Sequence, residues 1–568
     1  MDAGTAPGQP AGSLTAVFTQ KSCVQHRYIR SRDTSCIVER PERLRAVHVG
    51  LAAAVARLEE SFAAPRDSNA KAEPKEERSD ASVDILNNAA VKFIHGDIEG
   101  DVYLENLKRW TAESRAKIDK GESEIPEGLP QGDLYLCPES LLAIQGALGT
   151  VCQAVDTVVG SIPDTGISRA FVALRPPGHH CGEDSPSGFC FVNNVAVAAA
   201  HAHLKHGINR IVVLDIDLHH GNGTQSIVWQ INEESYRKAL EQEAGAPLDK
   251  PGLQVYYGSI HDVLSYPCED GKLELVQAAS VSIHGPHGQH IENVHLRPYS
   301  SEKQFHDELY TGPYSKLLSK AAEFLDETGG PGDDCGFDAS EHEYPSMSRH
   351  QRHVPTSFYR RFANDTRRLA ERYARGRLIS VLEGGYSDRA LTSGAMAHLI
   401  GLAEAEGAAV DESWWSLDNL TELEQATKKR RGGRVSQPTA PAPWLARTVE
   451  VFATIDSSHL VPPTTSTRNA VPPSSRVLRE RKTPHLPSKQ KSSTLPKRSD
   501  AKRTGVKGDL GVEVMVKQEE PEGDELSDDA STSSLSSLSD ALDDDQAPKR
   551  LPRVILKLGP RPADADVS

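Results

Sequence analysis

Apolar positions in this 568-residue chain fall into two kinds of run. Short β-type stretches at 16–19, 168–174, 211–214, 253–260, 280–283 and 378–382 predict strands, and longer stretches with apolar residues three and four apart predict helices. The helical patterns open at Arg40-Pro41 and recur at 103–118, 139–159, an Ala-rich run ending at His206, 391–405, 420–427 and 444–452. Strands and helices in alternation predict βαβ units. The expected fold class is α/β, a single domain with a mostly parallel sheet flanked by helices. Residues 211–214 are apolar at every position, the pattern of a parallel strand covered on both faces.

Other segments hold too few apolar residues to offset their ordering entropy. They are the N-terminus 1–15, an exposed insertion at 63–82, a basic and Pro-rich loop at 428–443, and a disordered tail at 456–568, leaving 16–455 as the folded unit. An aromatic content of only 5% fits this dilution of a folded part by polar segments. A net charge of -16 argues against nucleic-acid binding by the whole chain, although local basic patches such as 428–434 remain. The eight cysteines include no Cys-x-x-Cys pair and are too sparse for a disulfide framework or a structural zinc module, so they read as reduced thiols. No stretch is read as long and apolar enough to span a bilayer, and the expectation is a soluble protein of nucleus or cytosol, with no membrane partner.

Chemistry collects at the ends of the predicted strands. The run Ile211-Val-Val-Leu-Asp-Ile-Asp-Leu-His-His-Gly-Asn-Gly223 brings Asp215, Asp217, His219 and His220 to the end of a buried strand, where residues two apart share a face. Open α/β sheets bind their ligands at that end. Asp-x-His there looks like half of a metal site, with strand-end caps and solvated turn residues as the alternative. His179 and His180 follow 168–174 through Arg175-Pro-Pro-Gly, and Tyr386 follows 378–382 through Glu383-Gly-Gly. Arg43 and Arg45 lie on the opening turn of the first helix, as readily a solvated surface as a functional one.

Taken together, Arg175-Pro-Pro-Gly-His-His, Gly188-Phe-Cys, Asp215-Ile-Asp-Leu-His-His-Gly-Asn-Gly, Gly336-Phe-Asp-Ala and Glu383-Gly-Gly-Tyr resemble the zinc-dependent histone deacetylases. The resemblance is to the class II branch and to its fungal members with a long C-terminal tail, and it implies an arginase/deacetylase-like sheet. It implies that Asp217, His219 and Asp338 hold Zn²⁺, that His180 is the general base and acid, and that His179 is its electrostatic neighbour. Asp215 would partner His179, Asn222 would partner His180, and Tyr386 would donate a hydrogen bond to the oxyanion. Gly188, Phe189 and Tyr266 would line a substrate tunnel, with Asp133 at its rim. A structural monovalent cation, K⁺, would sit near Asp215, Asp217, His219 and Ser259.

The implied activity is hydrolysis of N-ε-acetyl-lysine in histone tails or other acetylated proteins, in the nucleus with the cytoplasm as alternative. Corepressor or chromatin partners are implied in the same way, without sequence-specific nucleic-acid binding. A non-enzymatic acetyl-lysine-binding scaffold and an acetylpolyamine deacetylase are the competing readings. In the tail, Val516-Lys-Gln-Glu519 has the form of a SUMO acceptor, and Ser527, Ser537 and Ser539 lie near acidic residues, as acidophilic-kinase sites do.

One motif departs from the pattern. No β-type run precedes Gly336-Phe-Asp338; the chain reaches it through Asp-Glu-Thr-Gly-Gly-Pro-Gly-Asp-Asp-Cys335, which has almost nothing apolar to bury. The resembled family has a buried strand here. The expectation is a chain short of an inner strand, destabilised, and a weak zinc binder through Asp338.

Overall fold

The computed structural model describes residues 14–31, 33–62, 74–96, 102–160, 166–247, 250–328, 339–344, 347, 350, 352–404, 410–428 and 442–460. By internal contacts the chain divides into Met1–Arg481 and Lys482–Ser568, and every described residue belongs to the first. The expected tail, its SUMO and kinase motifs, and the basic residues 429–434 lie outside the described residues, apart from 456–460.

The first half of the chain forms β1 (Leu14–Gln20), α1 (Glu42–Phe62), β2 (Lys75–Ser79), α2 (Ala89–His95), α3 (Val102–Asp119), α4 (Ser140–Gly160), β3 (Ile167–Ala173), α5 (Asn194–His206), β4 (Arg210–Asp215) and α6 (Asn222–Glu243). The second half forms β5 (Gln254–His261), α7 (Leu273–Ala278), β6 (Ser282–His284), β7 (His290–His295), the one-turn α8 (Glu302–Gln304), α9 (Lys316–Thr328), α10 (Thr356–Tyr373), β8 (Leu378–Val381), α11 (Asp388–Ala403), α12 (Leu417–Thr427) and α13 (Pro443–Ile455). Local chemistry sets several of these limits. The Asn193 side chain caps α5 by accepting from Ala196 N at 3.0 Å, and Gly207, left-handed at φ 67°, ends it and turns the chain into β4.

The strands order as β2-β1-β3-β8 and as β4-β5-β7-β6, parallel throughout except for β6 on β7. β3 is buried at all seven positions, and β4 at all but its first, as inner parallel strands should be. Helix α4 packs on β1, β3 and β8, while α1 and α11 also reach β3 and β1.

The expected α/β fold with a mostly parallel sheet flanked by helices is present, its described strands forming two four-stranded groups. Among the described residues no strand joins β8 to β4. Between them lies an apolar cavity of about 90 Å³, lined by Ile211 and Val213 of β4, Leu378 and Val381 of β8, and residues of α4 and α5. The segment 329–338, expected to lack a strand, lies outside the described residues. Its upstream neighbour Thr328 is tied to the start of β4, because the Arg210 guanidinium donates to its carbonyl.

Other boundaries need correction. The N-terminal segment read as disordered to residue 15 yields Leu14 and Thr15 to β1. The exposed insertion 63–82 contains β2, a strand of Lys, Glu, Arg and Ser paired in parallel to β1. Its charges are tolerated because an edge strand pairs on one side only. β7 was missed because His290-Ile-Glu-Asn-Val-His295 carries a buried Glu292; that carboxylate accepts from Lys316 at 2.6 Å and pairs with His284 at 2.8 Å. Pro443, assigned to the basic loop, opens α13. Contrary to expectation, the 21-residue α4 is long and apolar enough to cross a membrane, yet 67% of its apolar window is buried within the fold. The seven described cysteines are free thiols.

Candidate active site

The polar groups gather beyond the carboxyl ends of β3, β4, β5 and β8. Past β3 the chain runs through Arg175-Pro-Pro-Gly to His179 and His180; β4 ends on Asp215, which pairs in register with Ser259 of β5; past β8 comes Glu383-Gly-Gly-Tyr386. These side chains are buried, at 8% exposure or less.

Asp217 and His219 do not continue the alternation of β4, as the pattern suggested. Asp215 Oδ1 accepts from Asp217 N at 3.2 Å, and Asp217 Oδ1 accepts from His219 N at 2.9 Å. Each carboxylate competes for a backbone amide two residues on, so the chain bends instead of extending. Gly221 is required by crowding at the start of α6. A Cβ there would meet Asp215 Oδ2 at 2.1 Å and the Tyr257 hydroxyl at 2.7 Å.

The two adjacent imidazoles have unlike partners. His179 Nδ1 lies 3.2 Å from Asp215 Oδ2, an oxygen that also accepts from the Tyr257 hydroxyl at 3.1 Å. His180 Nδ1 lies 2.8 Å from the amide Oδ1 of Asn222. Burial disfavours the protonated form of both rings. At His179 the charges of Asp217 and Asp215 outweigh burial and hold the imidazole well above its ordinary pKa. At His180 burial, joined by the charges of His179 and His219, pushes the pKa well below the ordinary value, and the bond to Asn222 offsets only part of this.

Asp217 Oδ1 and His219 Nδ1 stand 3.1 Å apart, and His179 Nε2 is 3.8 Å from the same oxygen. Ligand atoms ~2.0–2.2 Å from a tetrahedral Zn²⁺ are ~3.3–3.5 Å apart, so the Asp217 and His219 pair fits two positions of such a site. Asp338, the expected third ligand, lies outside the described residues. Asp217 Oδ2 accepts from Gly384 N at 2.8 Å, which ties this carboxylate to the loop that carries Tyr386. Of the residues expected around K⁺, Ser259 is fully buried and bonds His261 Nδ1 at 2.8 Å through its Oγ, next to Asp215 in the ladder.

Aromatic side chains wall the approach. The Tyr266 ring stands edge-on to His180 at 4.9 Å, and Phe189 lies 5.8 Å from the ring of Tyr386. Gly188, at φ 50°, sits so close beneath them that a Cβ would meet His180 Cδ2 at 2.4 Å. The Tyr266 hydroxyl pairs with Ser187 Oγ. Burial, followed by the nearby charge of Asp133, raises that phenol to about 12 against the opposing Ser187 bond. Asp133 itself is half-buried in a turn.

A buried network behind the site was not foreseen. Arg43 is fully buried; its guanidinium donates to the carbonyls of Gly385 at 2.5 Å and Glu383 at 2.6 Å, lies 4.9 Å from the centroid of the Tyr386 ring, and donates to Glu39 at 3.0 Å. Glu39 also takes a two-pronged bond from Arg175, at 2.7 and 2.6 Å. Burial would raise the Glu39 carboxyl, but Arg175 and Arg43 hold it far below the ordinary range. Glu343 accepts from Tyr386 N at 2.7 Å, and Glu383 accepts from Gly178 N at 2.6 Å and His179 N at 3.2 Å. Arg43 was flagged by the sequence as one of two open readings and Arg175 and Glu383 only as parts of motifs, while Glu39 and Glu343 were missed. Arg45 proves structural: it donates to the Thr427 carbonyl and stacks on Phe452.

A parallel α/β fold with paired imidazoles, a carboxylate and imidazole near metal-ligand spacing, and aromatic rings beside them is an arrangement suited to metal-assisted hydrolysis. Residues 38–402 match the histone deacetylase domain, and the chain belongs to that family. It is 35% identical over 444 residues to histone deacetylase HOS3 of Saccharomyces cerevisiae, covering 74% of this chain and 60% of that protein. It is 27% identical over 322 residues to type-2 histone deacetylase 1 of Dictyostelium discoideum, covering 49% of this chain and 20% of that protein. A histone deacetylase-like amidohydrolase of Pseudomonas aeruginosa is 29% identical over 286 residues, covering 50% of this chain and 61% of that protein. The chain spans less than two thirds of the length of each of these relatives.

Proposed function

We propose that this chain is a zinc-dependent lysine deacetylase acting on acetylated histone tails or other acetylated proteins. The observation that carries the reading is the pair of adjacent imidazoles with unlike partners, His179 on Asp215 and His180 on Asn222, beside Asp217 and His219 at ligand spacing. Asp217 and His219, with Asp338, would hold Zn²⁺, which when bound supplies a Lewis acid for the acetyl carbonyl.

The protein's own groups do the rest. An acetyl-lysine enters between Phe189 and Tyr266, which exclude water from its alkyl chain. His180 is neutral and donates from Nδ1 to the Asn222 oxygen, so its Nε2 lone pair is free to take the proton of the attacking water. That proton is then delivered to the departing lysine amine. His179, held protonated by Asp215 and Asp217, supplies positive charge beside the reacting centre. The Tyr386 hydroxyl donates to the oxygen on which charge develops. Arg43 and Glu343 fix the Tyr386 backbone from below. Asp133 at the mouth would accept from the amides of the substrate peptide. A nuclear location, repression through corepressor complexes, and a K⁺ near Asp215, Asp217, His219 and Ser259 belong to the same reading.

The test is acetate release by the purified, zinc-supplemented chain from acetylated histone and tubulin peptides and from N-acetylated polyamines. Peptide hydrolysis is expected, falling by ~10²–10⁴ in His180→Ala while zinc content stays the same. Zinc-loaded protein that hydrolyses no peptide would instead be a binding scaffold. Turnover confined to acetylpolyamines would move the substrate to that class.

A further inference from the structure

A second group of metal-ligating side chains lies away from the strand ends. Asp156 of α4 and His201 and His206 of α5 bring three donor atoms within 4.8 Å of one another. Both Nε2 atoms converge on one oxygen: Asp156 Oδ1 is 2.9 Å from His201 and 2.7 Å from His206. The other oxygen accepts from the Lys205 ammonium at 2.7 Å. The two imidazoles are 14% and 17% exposed and the carboxylate 35%, so the cluster is half-buried yet reachable from solvent. α5 begins at the active site, where the Asn194 side chain donates to Pro176 O at 3.2 Å, and these histidines follow ~10–18 Å along the helix at 1.5 Å per residue.

The geometry points to a divalent transition-metal site at Asp156, His201 and His206, separate from the active site and suited to Zn²⁺. Two imidazole nitrogens and one carboxylate oxygen suit a borderline cation such as Zn²⁺ and not Mg²⁺ or Ca²⁺, which prefer oxygen alone. The present spacings, 2.9 and 2.7 Å, are those of hydrogen bonds, about 0.4–0.8 Å short of the ~3.3–3.5 Å between ligands of a tetrahedral zinc. A small rotation of one half-exposed Asp side chain supplies the difference. Each imidazole then carries its proton on Nδ1 and offers Nε2 to the metal, with the remaining positions open to water. The Lys205 ammonium competes for the same carboxylate.

The location indicates what the ion does. α4 packs on β1, β3 and β8 of one half-sheet, whereas α5 runs through Gly207 into β4 of the other. Both helices line the apolar cavity between the halves, through Val155, Val158, Ala198 and Ala202. A cation held by α4 and α5 is therefore a clamp between the helix packed on β1, β3 and β8 and the helix that leads into β4, and it adds stability by binding the folded state alone.

The test uses the full chain with its active-site zinc in place. Zinc per chain and melting temperature are compared for wild type, for His201→Ala/His206→Ala and for Lys205→Ala, with Zn²⁺ and then Mg²⁺ titrated in. Wild type should take up one more zinc than the double variant and melt several degrees higher in Zn²⁺ but not in Mg²⁺. Lys205→Ala keeps every ligand, and removal of its half-exposed ion pair should tighten the second zinc by up to about fivefold. Equal zinc content and equal zinc-induced shifts in wild type and double variant would overturn the site. So would a Lys205→Ala chain that binds the second zinc no better.

Discussion

His180 Nδ1 lies 2.8 Å from Oδ1 of Asn222, whereas the neighbouring His179 turns the same ring atom to the Asp215 carboxylate at 3.2 Å. An amide orients an imidazole without stabilising its cation as a carboxylate does. Burial opposes the charged form of both rings, 4.0 Å apart; the charges of Asp217 and Asp215 nonetheless hold His179 well above its ordinary pKa, whereas His180, beside His179 and His219, is pushed well below it.

Asn222→Asp should convert His180 to the behaviour of its neighbour. The new charge beside the ring raises the His180 pKa. A general base works only while deprotonated, so the acid limb of the kcat/KM profile should move to higher pH and activity below it should fall. An unshifted acid limb would remove His180 from the proton-transfer role.

Tyr386→Phe should lower kcat by ~10²–10³ with little change in KM, because the phenol's bond strengthens as charge develops on the acetyl oxygen. Steady-state kinetics on one acetyl-lysine peptide decide it. A change confined to KM would show that the hydroxyl merely binds substrate.

Glu39→Gln strips a buried carboxylate from Arg43 and Arg175 and should destabilise the fold by ~3–5 kcal/mol at neutral pH. The Glu39 pKa is depressed in the folded state, so its contribution is present above the unfolded value of ~4.3 and is lost as pH falls below it. The stability gap between wild type and variant should therefore narrow from pH 7 toward pH 3 in urea titrations. A gap independent of pH would mean that Glu39 acts by shape and not by charge.

Inserting a short Val/Leu/Phe/Ile strand between Asp334 and Cys335 should raise melting temperature, zinc stoichiometry and activity together. Among the described residues β4 and β8 each have one side unpaired, so the new strand could add ladder bonds at a net ~0.5–1.5 kcal/mol each and pack against the apolar residues between them. Identical melting, zinc and activity in the two chains would show that the gap is harmless.

The sequence determined the elements and the identity of the chemical groups, because both are local. Apolar periodicity over 139–159 and 211–214 is decided by which positions must face a core, and α4 and β4 follow it to within a few residues. His179, His180, Asp215, Asp217, His219, Asn222 and Tyr386 could be named as candidates because each lies at or just past a predicted strand end or in a Gly/Pro loop. What only the tertiary structure decided is pairing across distance. Glu39 has nothing in its neighbourhood to mark it, and it matters because the fold brings Arg175, 136 positions away, against it in a buried pocket where a charge must be matched. The cluster of Asp156 with His201 and His206 is of the same kind, because it arises only when α4 and α5 pack side by side.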